Sequence, residues 1–448
     1  MPDNLSILIL AAGKGTRMKS DLPKVLHKVA NREMLNLVID EAKTLNPKNI
    51  TVVVSQEMRS FEEKIRQEHP KNKIAFALQK ERKGTAHAVA VGLENITDLG
   101  EKLLILYGDT PLISRVTLAK MAEKLHDFSL CILGFEEEEE NAYGRLVVDA
   151  KGHLEKIIEF KDATDEERKI VLCNSGVVAV DGSQIKNLLS AVKNNNAAGE
   201  FYLTDIVGIA GKLGLKRTFL KTVIQEVLGV NSRFELAKIN DIKQQQIRRK
   251  MMDSGVTLLD PASVYFSYDT EIEDDVVIHP QVFFGPKVVI SKNVEIKSFC
   301  HIEGAEIASN VIVGPFARLR PGTKIGEEVR IGNFVEVKKS HLKKGAKVNH
   351  LSYIGDAEIG QDSNIGAGTI TCNFDGFNKY QTKIGDNVFV GSNSALVAPI
   401  EINDGALIAA GSVITKNVAA DELAVTRAKQ VNLAEGGKKF RQKKGEKK

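Results

Sequence analysis

The first half of the chain alternates short apolar runs with stretches of helical periodicity. Residues 34–43 and 85–94 repeat apolar positions at helical spacing. The apolar runs between them are short enough for buried strands, and they cover 5–11, 50–54, 74–78 and 103–107. This alternation is typical of a mostly parallel sheet covered by helices. We therefore predict an α/β domain over residues 1–229, with ligands at the carboxyl ends of its strands.

A single helix is predicted after this domain, over residues 231–252. The spacing Ser232-x-x-Glu235 is a capping box, and an apolar stripe continues through Leu236, Ile239 and Met251. We assign 230–250 as a connecting helix between two domains.

Beyond residue 260 the apolar period changes to six. A period of six fits neither a helix face nor a single strand, so we predict short faces that turn every six residues, a hexapeptide β-solenoid over 251–448. The pattern breaks at 371–383, where we predict an inserted loop with a functional role. The periodic positions are Ile272, Ile278, Phe284, Ile290, Ile296, Ile302, Ile307, Val313, Leu319, Ile325, Ile331, Val337, Leu342, Val348, Ile354, Ile384, Val390, Leu396, Ile402, Ile408 and Ile414.

Length and composition agree with a two-domain globular protein. A chain of 448 residues exceeds what one core usually holds. Its apolar runs fall short of the roughly 18 residues of a membrane helix, and the run at 5–12 lacks the preceding basic region of a secretory signal. We therefore expect a cytoplasmic protein. The four cysteines form no CxxC pair, so we expect them to be reduced thiols and expect no structural metal site. They are Cys131, Cys173, Cys300 and Cys372.

Positive charge is concentrated at the C-terminal end. The net charge is +4, and residues 429–448 alone carry eight Lys or Arg against two Glu, which leaves the rest of the chain near −2. This distribution argues against a nucleic-acid-binding body. We predict that the basic tail 438–448 is a solvated, disordered end, with an anionic partner as the alternative.

A glycine loop follows the first predicted strand. Gly13 and Gly15 let backbone N–H groups approach phosphates, and Arg17 and Lys24 can neutralise them. The dinucleotide fingerprint fails because its third glycine position is Met18, and the Walker A pattern fails because Lys14 precedes a glycine.

The segment Gly-x-Gly-Thr-Arg-Met, with Pro23 and Lys24 downstream, resembles the signature of sugar-1-phosphate nucleotidylyltransferases. The resemblance extends through nearly the whole chain and is closest to bacterial enzymes that combine an N-acetylglucosamine-1-phosphate uridylyltransferase with a glucosamine-1-phosphate acetyltransferase. It implies a Rossmann-like nucleotidyltransferase domain, and a left-handed parallel β-helix that assembles as a homotrimer. The implied small-molecule substrates are glucosamine 1-phosphate, acetyl-CoA and UTP, with Mg²⁺ as cofactor and neither nucleic acid nor membrane as partner.

The same resemblance implies the residues of the uridylyltransferase site. It assigns Asp109 and Asn231 to Mg²⁺ and a catalytic role to Arg17. Mg²⁺ prefers hard oxygen ligands and keeps several from substrate and water, although a turn or cap aspartate before Pro111 is the alternative for Asp109. The implied UTP and UDP-N-acetylglucosamine contacts are Leu10, Ala11, Gly13, Lys24, Gln79, Gly84, Thr85, Tyr107, Gly108, Asp109, Gly144, Glu159, Asn174 and Asn231.

The acetyltransferase site is implied in the solenoid. The resemblance assigns His350 as the general base, a role that suits histidine because its ordinary pKa lies near neutral pH and the substrate amine must lose a proton before it attacks. Taken alone, a surface or structural histidine is the alternative. One departure is Phe374, where the family commonly has tyrosine. The implied contacts are Arg320, Lys338, Tyr353 and Asn364 for glucosamine 1-phosphate, and Ala367, Asn373, Phe374, Ser392, Ala410 and Arg427 for acetyl-CoA.

Three other functions compete with this interpretation. A solenoid carbonic anhydrase needs three histidines around a metal, and His279, His301, His341 and His350 show no such arrangement. The solenoid can also serve a nucleotidylyltransferase as a regulatory or trimerising module, or the chain can be a structural scaffold. Acetyl transfer by a fragment that starts near residue 250 separates the bifunctional enzyme from the last two.

Overall fold

A computed structural model describes residues 4–70, 73–139 and 141–445. The chain divides into two compact units, Met1–Gln244 and Gln245–Lys448, and the division falls within a long helix. Each unit is built around its own apolar core. None of the helices in these described residues is both long enough and apolar enough to cross a membrane.

The N-terminal unit contains one large sheet. Its strands are β1 (Leu5–Leu10), β2 (Asn49–Val54), β3 (Ile74–Leu78), β4 (Lys102–Tyr107), β5 (Leu130–Glu136), β6 (Arg145–Val148), β7 (Leu154–Ile158), β8 (Leu172–Asp181) and β9 (Arg217–Lys221). Their order in the sheet is β9-β5-β8-β4-β1-β2-β3, and β6 pairs with β8 and β7 beside this path. β1 pairs parallel to β2 and β4, whereas β8 runs antiparallel between β4 and β5.

Helices cover both faces of this sheet because alternate side chains of its central strands point to opposite sides. In β1, Ile7 and Ile9 belong to one buried cluster, and Leu8 and Leu10 belong to another. The predicted mostly parallel α/β architecture is confirmed. The helices of this unit are α1 (Met34–Lys43), α2 (Glu62–Glu68), α3 (Thr85–Glu94), α4 (Arg115–Lys124), α5 (Asp165–Arg168), α6 (Ile185–Ser190), α7 (Asp205–Lys212) and α8 (Ile224–Val227), with 3-10 turns at Thr16–Met18, Lys24–Leu26 and Gln56–Phe61 and a short hairpin of Lys28–Val29 with Arg32–Glu33.

The predicted connecting helix is α9 (Arg233–Asp253). The Ser232 hydroxyl accepts the Glu235 backbone N–H at 3.2 Å, and the Glu235 carboxylate accepts the Asn231 backbone N–H at 2.6 Å. Both bonds satisfy donors that a helix N-terminus leaves open. The start of the helix packs through Ile239 on Met18 and Met34, so it belongs to the core of the N-terminal unit.

The C-terminal unit is the predicted solenoid, a left-handed parallel β-helix of hexapeptide repeats. Its strands stack parallel in three sheets, and each periodic side chain lies on the equivalent one of the next rung, as Ile296 does on Ile278. Of the periodic positions named above, all but the half-buried Ile272 are buried. The first sheet comprises Thr257–Leu258, Val277–Ile278, Glu295–Ile296, Ile312–Val313, Arg330–Asn333, Lys347–His350, Asn364–Ile365, Phe389–Val390, Leu407–Ile408 and Leu423–Ala424.

The second and third sheets complete each rung. The second sheet comprises Phe283–Phe284, His301–Ile302, Arg318–Leu319, Glu336–Lys338, Tyr353–Gly355, Ile370–Cys372, Ala395–Val397 and Val413–Ile414. The third comprises Glu271–Ile272, Val289–Ile290, Ala305–Ile307, Thr323–Ile325, His341–Leu342, Ala357–Ile359, Thr382–Ile384 and Ile400–Ile402. A 3-10 turn, Pro261–Ser263, lies near the start of the unit.

Two sequence-based boundaries need correction. The inserted loop is shorter than the predicted range 371–383. Its first residues belong to the strand Ile370–Cys372 and its last residues to the strand Thr382–Ile384, because Thr371 and Thr382 are buried between neighbouring rungs. The tail was predicted to be disordered, but Gly436–Gly445 forms a helix, α10. Its lysines and arginine are exposed, as predicted, and residues 446–448 lie outside the described residues.

Candidate active sites

A cleft of about 270 Å³ lies at the carboxyl ends of β1 and β4. Parallel strands gather the loops that follow them at one edge of a sheet, which is where such folds bind ligands. Nine of the predicted nucleotide contacts line this cleft, and they are Leu10, Ala11, Gly13, Lys24, Gln79, Gly84, Thr85, Tyr107 and Asp109.

The glycine loop is shaped around Lys24. Gly15 has φ +61°, and a Cβ on it would lie 2.6 Å from the Cβ of Lys24. Any larger residue at position 15 would therefore push the lysine away. Upstream, the Ala11 backbone N–H donates to the Val53 carbonyl at 2.8 Å, which ties the start of the loop to β2.

The two predicted metal ligands converge on one position. The Lys24 ammonium donates to the Asp109 carboxylate, and it lies 3.1 Å from the Asn231 amide oxygen. The Val230 backbone N–H donates to the Asp109 carbonyl at 3.1 Å, which holds the two segments together. Within the described residues no group of three His, Cys, Asp or Glu could hold a metal. A carboxylate and an amide oxygen around one cation nevertheless fit Mg²⁺, which takes its other ligands from phosphates and water.

The predicted uracil segment is held by His87. The Gln79 amide nitrogen lies 3.0 Å from His87 Nδ1 and 3.5 Å from the Gly84 carbonyl oxygen. Because the nitrogen donates to these groups, the amide oxygen is the group that can accept the N3–H of uracil. Thr85 begins α3, and its hydroxyl accepts the Leu203 backbone N–H at 2.9 Å.

The predicted sugar-pocket residues also lie together. The Gly144 carbonyl accepts the Asn174 backbone N–H at 2.8 Å, and a Cβ on Gly144 would lie 3.4 Å from the Glu159 carboxylate. Burial raises the pKa of Glu159, although a hydrogen bond from Thr204 opposes the shift. Burial also raises the pKa of Tyr107. Burial therefore disfavours the charged form of both side chains.

Some cleft residues differ from the prediction. Arg17 is exposed in the turn Thr16–Met18 and is not among the residues that line the cleft. Gly108 is behind the lining, where its N–H donates to the Leu10 carbonyl at 2.9 Å. Sequence reasoning missed Arg82 and Glu200, which both line the cleft. Arg82 Nε donates to the Ala12 carbonyl at 2.8 Å. The position of Arg82 shortly after the carboxyl end of β3 is the sequence feature that could have predicted it as a cleft residue.

In the solenoid, cationic side chains gather on the second sheet. Arg320 forms an ion pair with Glu336 at 2.8 Å, and the strand of Lys338 pairs with that of Tyr353. Lys379 of the inserted loop was missed by sequence reasoning. The nearby Lys338 ammonium lowers the pKa of Lys379. Two ammonium groups held this close form a site that favours an anion such as a phosphate.

His350 ends a strand of the first sheet, on the other side of the corner from Tyr353. Its Nδ1 lies 3.0 Å from the Asn333 amide oxygen on the preceding rung. An amide oxygen only accepts, so Nδ1 carries the proton of the neutral ring and Nε2 has the free lone pair. Asn333 therefore holds His350 in the form that can act as a base, a role that sequence reasoning missed.

Three of the predicted acetyl-CoA positions, Ala367, Ser392 and Ala410, form a column along the same corner, whereas Asn373 and Phe374 lie in the inserted loop after the second sheet. The Ala367 carbonyl accepts the Asn393 backbone N–H at 2.7 Å, and the Ser392 carbonyl accepts that of Gly411 at 2.8 Å. Arg427 donates to the Ala410 carbonyl at 2.7 Å. Asn364 lies on the first sheet three residues before Ala367.

The inserted loop is anchored by Asn373. Its buried amide nitrogen donates to the Asp356 carboxylate at 2.5 Å, and its carbonyl accepts the Tyr380 backbone N–H at 2.9 Å. The loop exposes 58% of Phe374 and 90% of Phe377. Phe374 thus presents an exposed apolar ring on the inserted loop.

Comparisons with known proteins agree with both halves. A MobA-like NTP transferase domain matches residues 7–197. A bacterial transferase hexapeptide of six repeats matches residues 304–339, and a hexapeptide repeat of succinyl-transferase matches residues 381–416. The fold, the clustered sites and these matches define a nucleotidyltransferase joined to a hexapeptide-repeat acyltransferase.

Full-length relatives identify the family. The chain is 50% identical over 446 residues to the bifunctional protein GlmU of Zymomonas mobilis, covering 99% of this chain and 98% of the relative. It is 48% identical to that of Paramagnetospirillum magneticum, with 99% and 98% coverage, and 46% identical to that of Bartonella quintana, with 97% and 96%.

The chain belongs to the bifunctional GlmU family. The predicted combination of a uridylyltransferase with an acetyltransferase is confirmed, and its substrates include a nucleoside triphosphate and an acyl-CoA. This membership decides against the carbonic anhydrase, the regulatory solenoid and the scaffold.

Proposed function

We propose that the C-terminal unit acetylates glucosamine 1-phosphate with acetyl-CoA, and that the N-terminal unit then transfers UMP from UTP to the product. The observation that carries this proposal is the pairing of two separate sites in one chain. One is a cleft with convergent oxygen donors at Asp109 and Asn231, and the other is a histidine base held by Asn333.

In uridylyl transfer, a phosphate oxygen of N-acetylglucosamine 1-phosphate attacks the α-phosphorus of UTP, and pyrophosphate leaves. The glycine loop positions the triphosphate, and Lys24 and Arg17 offset its charge. Gln79 accepts from uracil. Gly144, Glu159 and Asn174 surround the sugar. The remaining walls are shaped by Leu10, Ala11, Gly84, Thr85 and Tyr107, and Gly108 supports them from behind through its bond to Leu10.

Asp109 and Asn231 would hold Mg²⁺, which would supply positive charge to offset the charge that develops on the phosphates. The protein supplies one carboxylate and one neutral amide, so much of the coordination comes from substrate. This ligand set favours a metal that enters with the nucleotide.

In acetyl transfer, Nε2 of His350 takes a proton from the ammonium of glucosamine 1-phosphate. The freed amine attacks the thioester carbonyl. As the tetrahedral intermediate collapses, the C–S bond breaks, the nitrogen gives its second proton to the departing sulfur, and CoA leaves as the thiol. Arg320, Lys338 and Lys379 hold the sugar phosphate. Tyr353 and Asn364 orient the sugar, and the column Ala367, Ser392 and Ala410, together with Asn373, Phe374 and Arg427, receives acetyl-CoA.

A homotrimer would complete this second site. Arg320, Lys338 and Tyr353 lie along the second sheet, whereas Ala367, Ser392 and Ala410 lie along the corner after the first sheet, so neighbouring copies can supply complementary parts. An exposed aromatic ladder on that corner supports contact between copies. Its members are Phe299, Phe316 and Phe334, whose rings stack with centroids 4.7 and 5.1 Å apart. Because UTP and acetyl-CoA are supplied by cytoplasmic metabolism, we place both reactions in the cytoplasm.

The test is synthesis of UDP-N-acetylglucosamine from glucosamine 1-phosphate, acetyl-CoA, UTP and Mg²⁺. His350→Ala should lower acetyl transfer at least about 10²-fold and leave uridylyl transfer unchanged. His341→Ala, an exposed histidine of the third sheet, is the control. Asp109→Asn should abolish most uridylyl transfer and spare acetyl transfer. Failure of the wild-type protein to form product would disprove the proposed function.

A further inference from the structure

A single ammonium group contacts both proposed metal ligands. Lys24 donates to Asp109 and lies 3.1 Å from the Asn231 amide oxygen. The Lys24 side chain is 11% exposed and that of Asp109 is 17% exposed. A carboxylate so far removed from water requires a counter-charge, and here lysine provides it.

The stem of Lys24 also packs against the glycine loop. A Cβ on Gly15 would lie 2.6 Å from Lys24 Cβ, so the lysine crosses the loop that is proposed to hold phosphates. A lysine ammonium sits on a flexible stem with rotatable donors. The same side chain can therefore reach the carboxylate or a phosphate without movement of the backbone.

Lysine and a divalent metal cannot share this position, because like charges a few ångströms apart repel strongly at low dielectric. We propose that Lys24 is an exchangeable counter-cation, which balances Asp109 until a metal-bound nucleotide enters and then moves its ammonium to a phosphate oxygen. The inference rests on the proposed uridylyltransferase function. It predicts that the metal binds weakly alone and tightly with nucleotide, since only the nucleotide offers the displaced ammonium a new anion.

The test measures Mn²⁺ binding by electron paramagnetic resonance of the free ion, without nucleotide. Lys24→Met should tighten Mn²⁺ binding on the order of tenfold, because the competing cation is gone. Lys24→Arg, which keeps the charge, should bind like wild type. Lys28→Met is the matched control, since it removes the charge of a more exposed lysine that pairs with Glu33. Lys24→Gln replaces the methionine variant if that variant does not fold.

A second comparison adds a UTP analogue with a methylene bridge between the α- and β-phosphates. The analogue should strengthen Mn²⁺ binding much more in wild type than in Lys24→Met. In the Asp109→Asn background, Lys24→Met should bring no gain. Suppose that wild type binds Mn²⁺ in the presence of the analogue, but that without the analogue Lys24→Met binds Mn²⁺ no more tightly than wild type does. The counter-cation role of Lys24 is then wrong, and the proposed function stands. If wild type binds no Mn²⁺ even with the analogue, the proposed metal site itself fails.

Discussion

At the residue scale, the role proposed for His350 as the base of acetyl transfer depends on which of its ring nitrogens carries the proton. Asn333 fixes this by accepting from Nδ1 at 3.0 Å. Asn333→Ala should lower kcat for acetyl transfer roughly 10-fold, since a hydrogen bond of this kind is worth about 1 kcal/mol, with little change in KM for glucosamine 1-phosphate. Steady-state kinetics separate the two constants.

The conservative variant Asn333→Asp distinguishes positioning from folding. A carboxylate still accepts from Nδ1, so much of the rate should return. It also favours the protonated ring, so the acidic limb of the pH–rate profile should move to higher pH. Uridylyl transfer by the same proteins is the internal control, and an Asn333→Ala variant with wild-type kcat would remove Asn333 from the mechanism.

Another single residue sets a pH dependence of stability. The His69 side chain is fully buried, with Nε2 3.1 Å from the Asn36 amide oxygen and Nδ1 2.8 Å from Lys43 Nζ. Because an ammonium only donates, Nδ1 accepts and the ring is neutral. Burial, assisted by Lys43, lowers the pKa of His69 from 6.5 to about 4.

Between these pKa values the unfolded chain binds a proton that the folded chain does not, so stability falls as the pH is lowered from about 6.5 towards 4. The loss attributable to His69 between pH 7 and pH 5 should be about 2 kcal/mol. His69→Gln should remove this dependence, whereas His126→Gln, at an exposed position, should keep it. Unfolding by urea at several pH values measures the slope, and equal slopes in wild type and His69→Gln would refute the assignment.

At the element scale, the repeats were predictable because each rung must bury one aliphatic residue per face, and that demand recurs along the chain. The strands and helices of the N-terminal unit follow from the same local demand for burial. Arg82, Asn333 and Lys379 escaped prediction because each acts through a residue that is remote in sequence or on another rung. No local sequence pattern predicts these contacts, because they form only when the rungs and loops are stacked in the folded chain.

The loop before α3 requires glycine at position 84. Gly84 has φ +113°, and a Cβ on it would lie 2.5 Å from the Phe201 carbonyl oxygen. The backbone of Phe201 cannot shift easily to relieve this contact. Its N–H donates to the Lys83 carbonyl at 2.8 Å, and its carbonyl accepts the Ala86 N–H at 2.9 Å. Gly84→Ala should cost about 1–3 kcal/mol of stability and raise KM for UTP. Gly152→Ala is the control, since Gly152 has φ +81° but open space around it; equal effects of both substitutions would exclude the clash.

At the scale of the whole molecule, the boundary of the first domain can be refined. The predicted domain 1–229 omits Asn231, and it also omits Val230 and Ile239, which are buried with Met18 and Met34. We expect the fragment 1–244 to retain uridylyl transfer and 1–229 to lose most of it. Assays with UTP and N-acetylglucosamine 1-phosphate, with circular dichroism as the folding control, make the comparison. Full activity of 1–229 would show that Asn231 is dispensable.

The aromatic ladder of the solenoid predicts the assembly. Phe299, Phe316, Phe334 and Leu351 occupy one corner on successive rungs with positive φ, a conformation that is uncommon for large side chains. They remain 53%, 45%, 54% and 62% exposed in the single chain. An exposed apolar ridge of this length is typical of a contact surface, and a second copy of the chain offers a matching ridge.

Substitution by asparagine tests this contact without straining the fold, because asparagine tolerates positive φ. Phe316→Asn combined with Phe334→Asn should therefore leave a folded solenoid while reducing the mass measured by light scattering from three chains towards one. If neighbouring copies complete the acetyltransferase site, as proposed above, acetyl transfer should fall together with the mass, and uridylyl transfer should persist. Phe234→Asn, at an 80% exposed position of the N-terminal unit, should change neither mass nor activity. A double variant that keeps both the wild-type mass and acetyl transfer would place the subunit contact elsewhere on the solenoid.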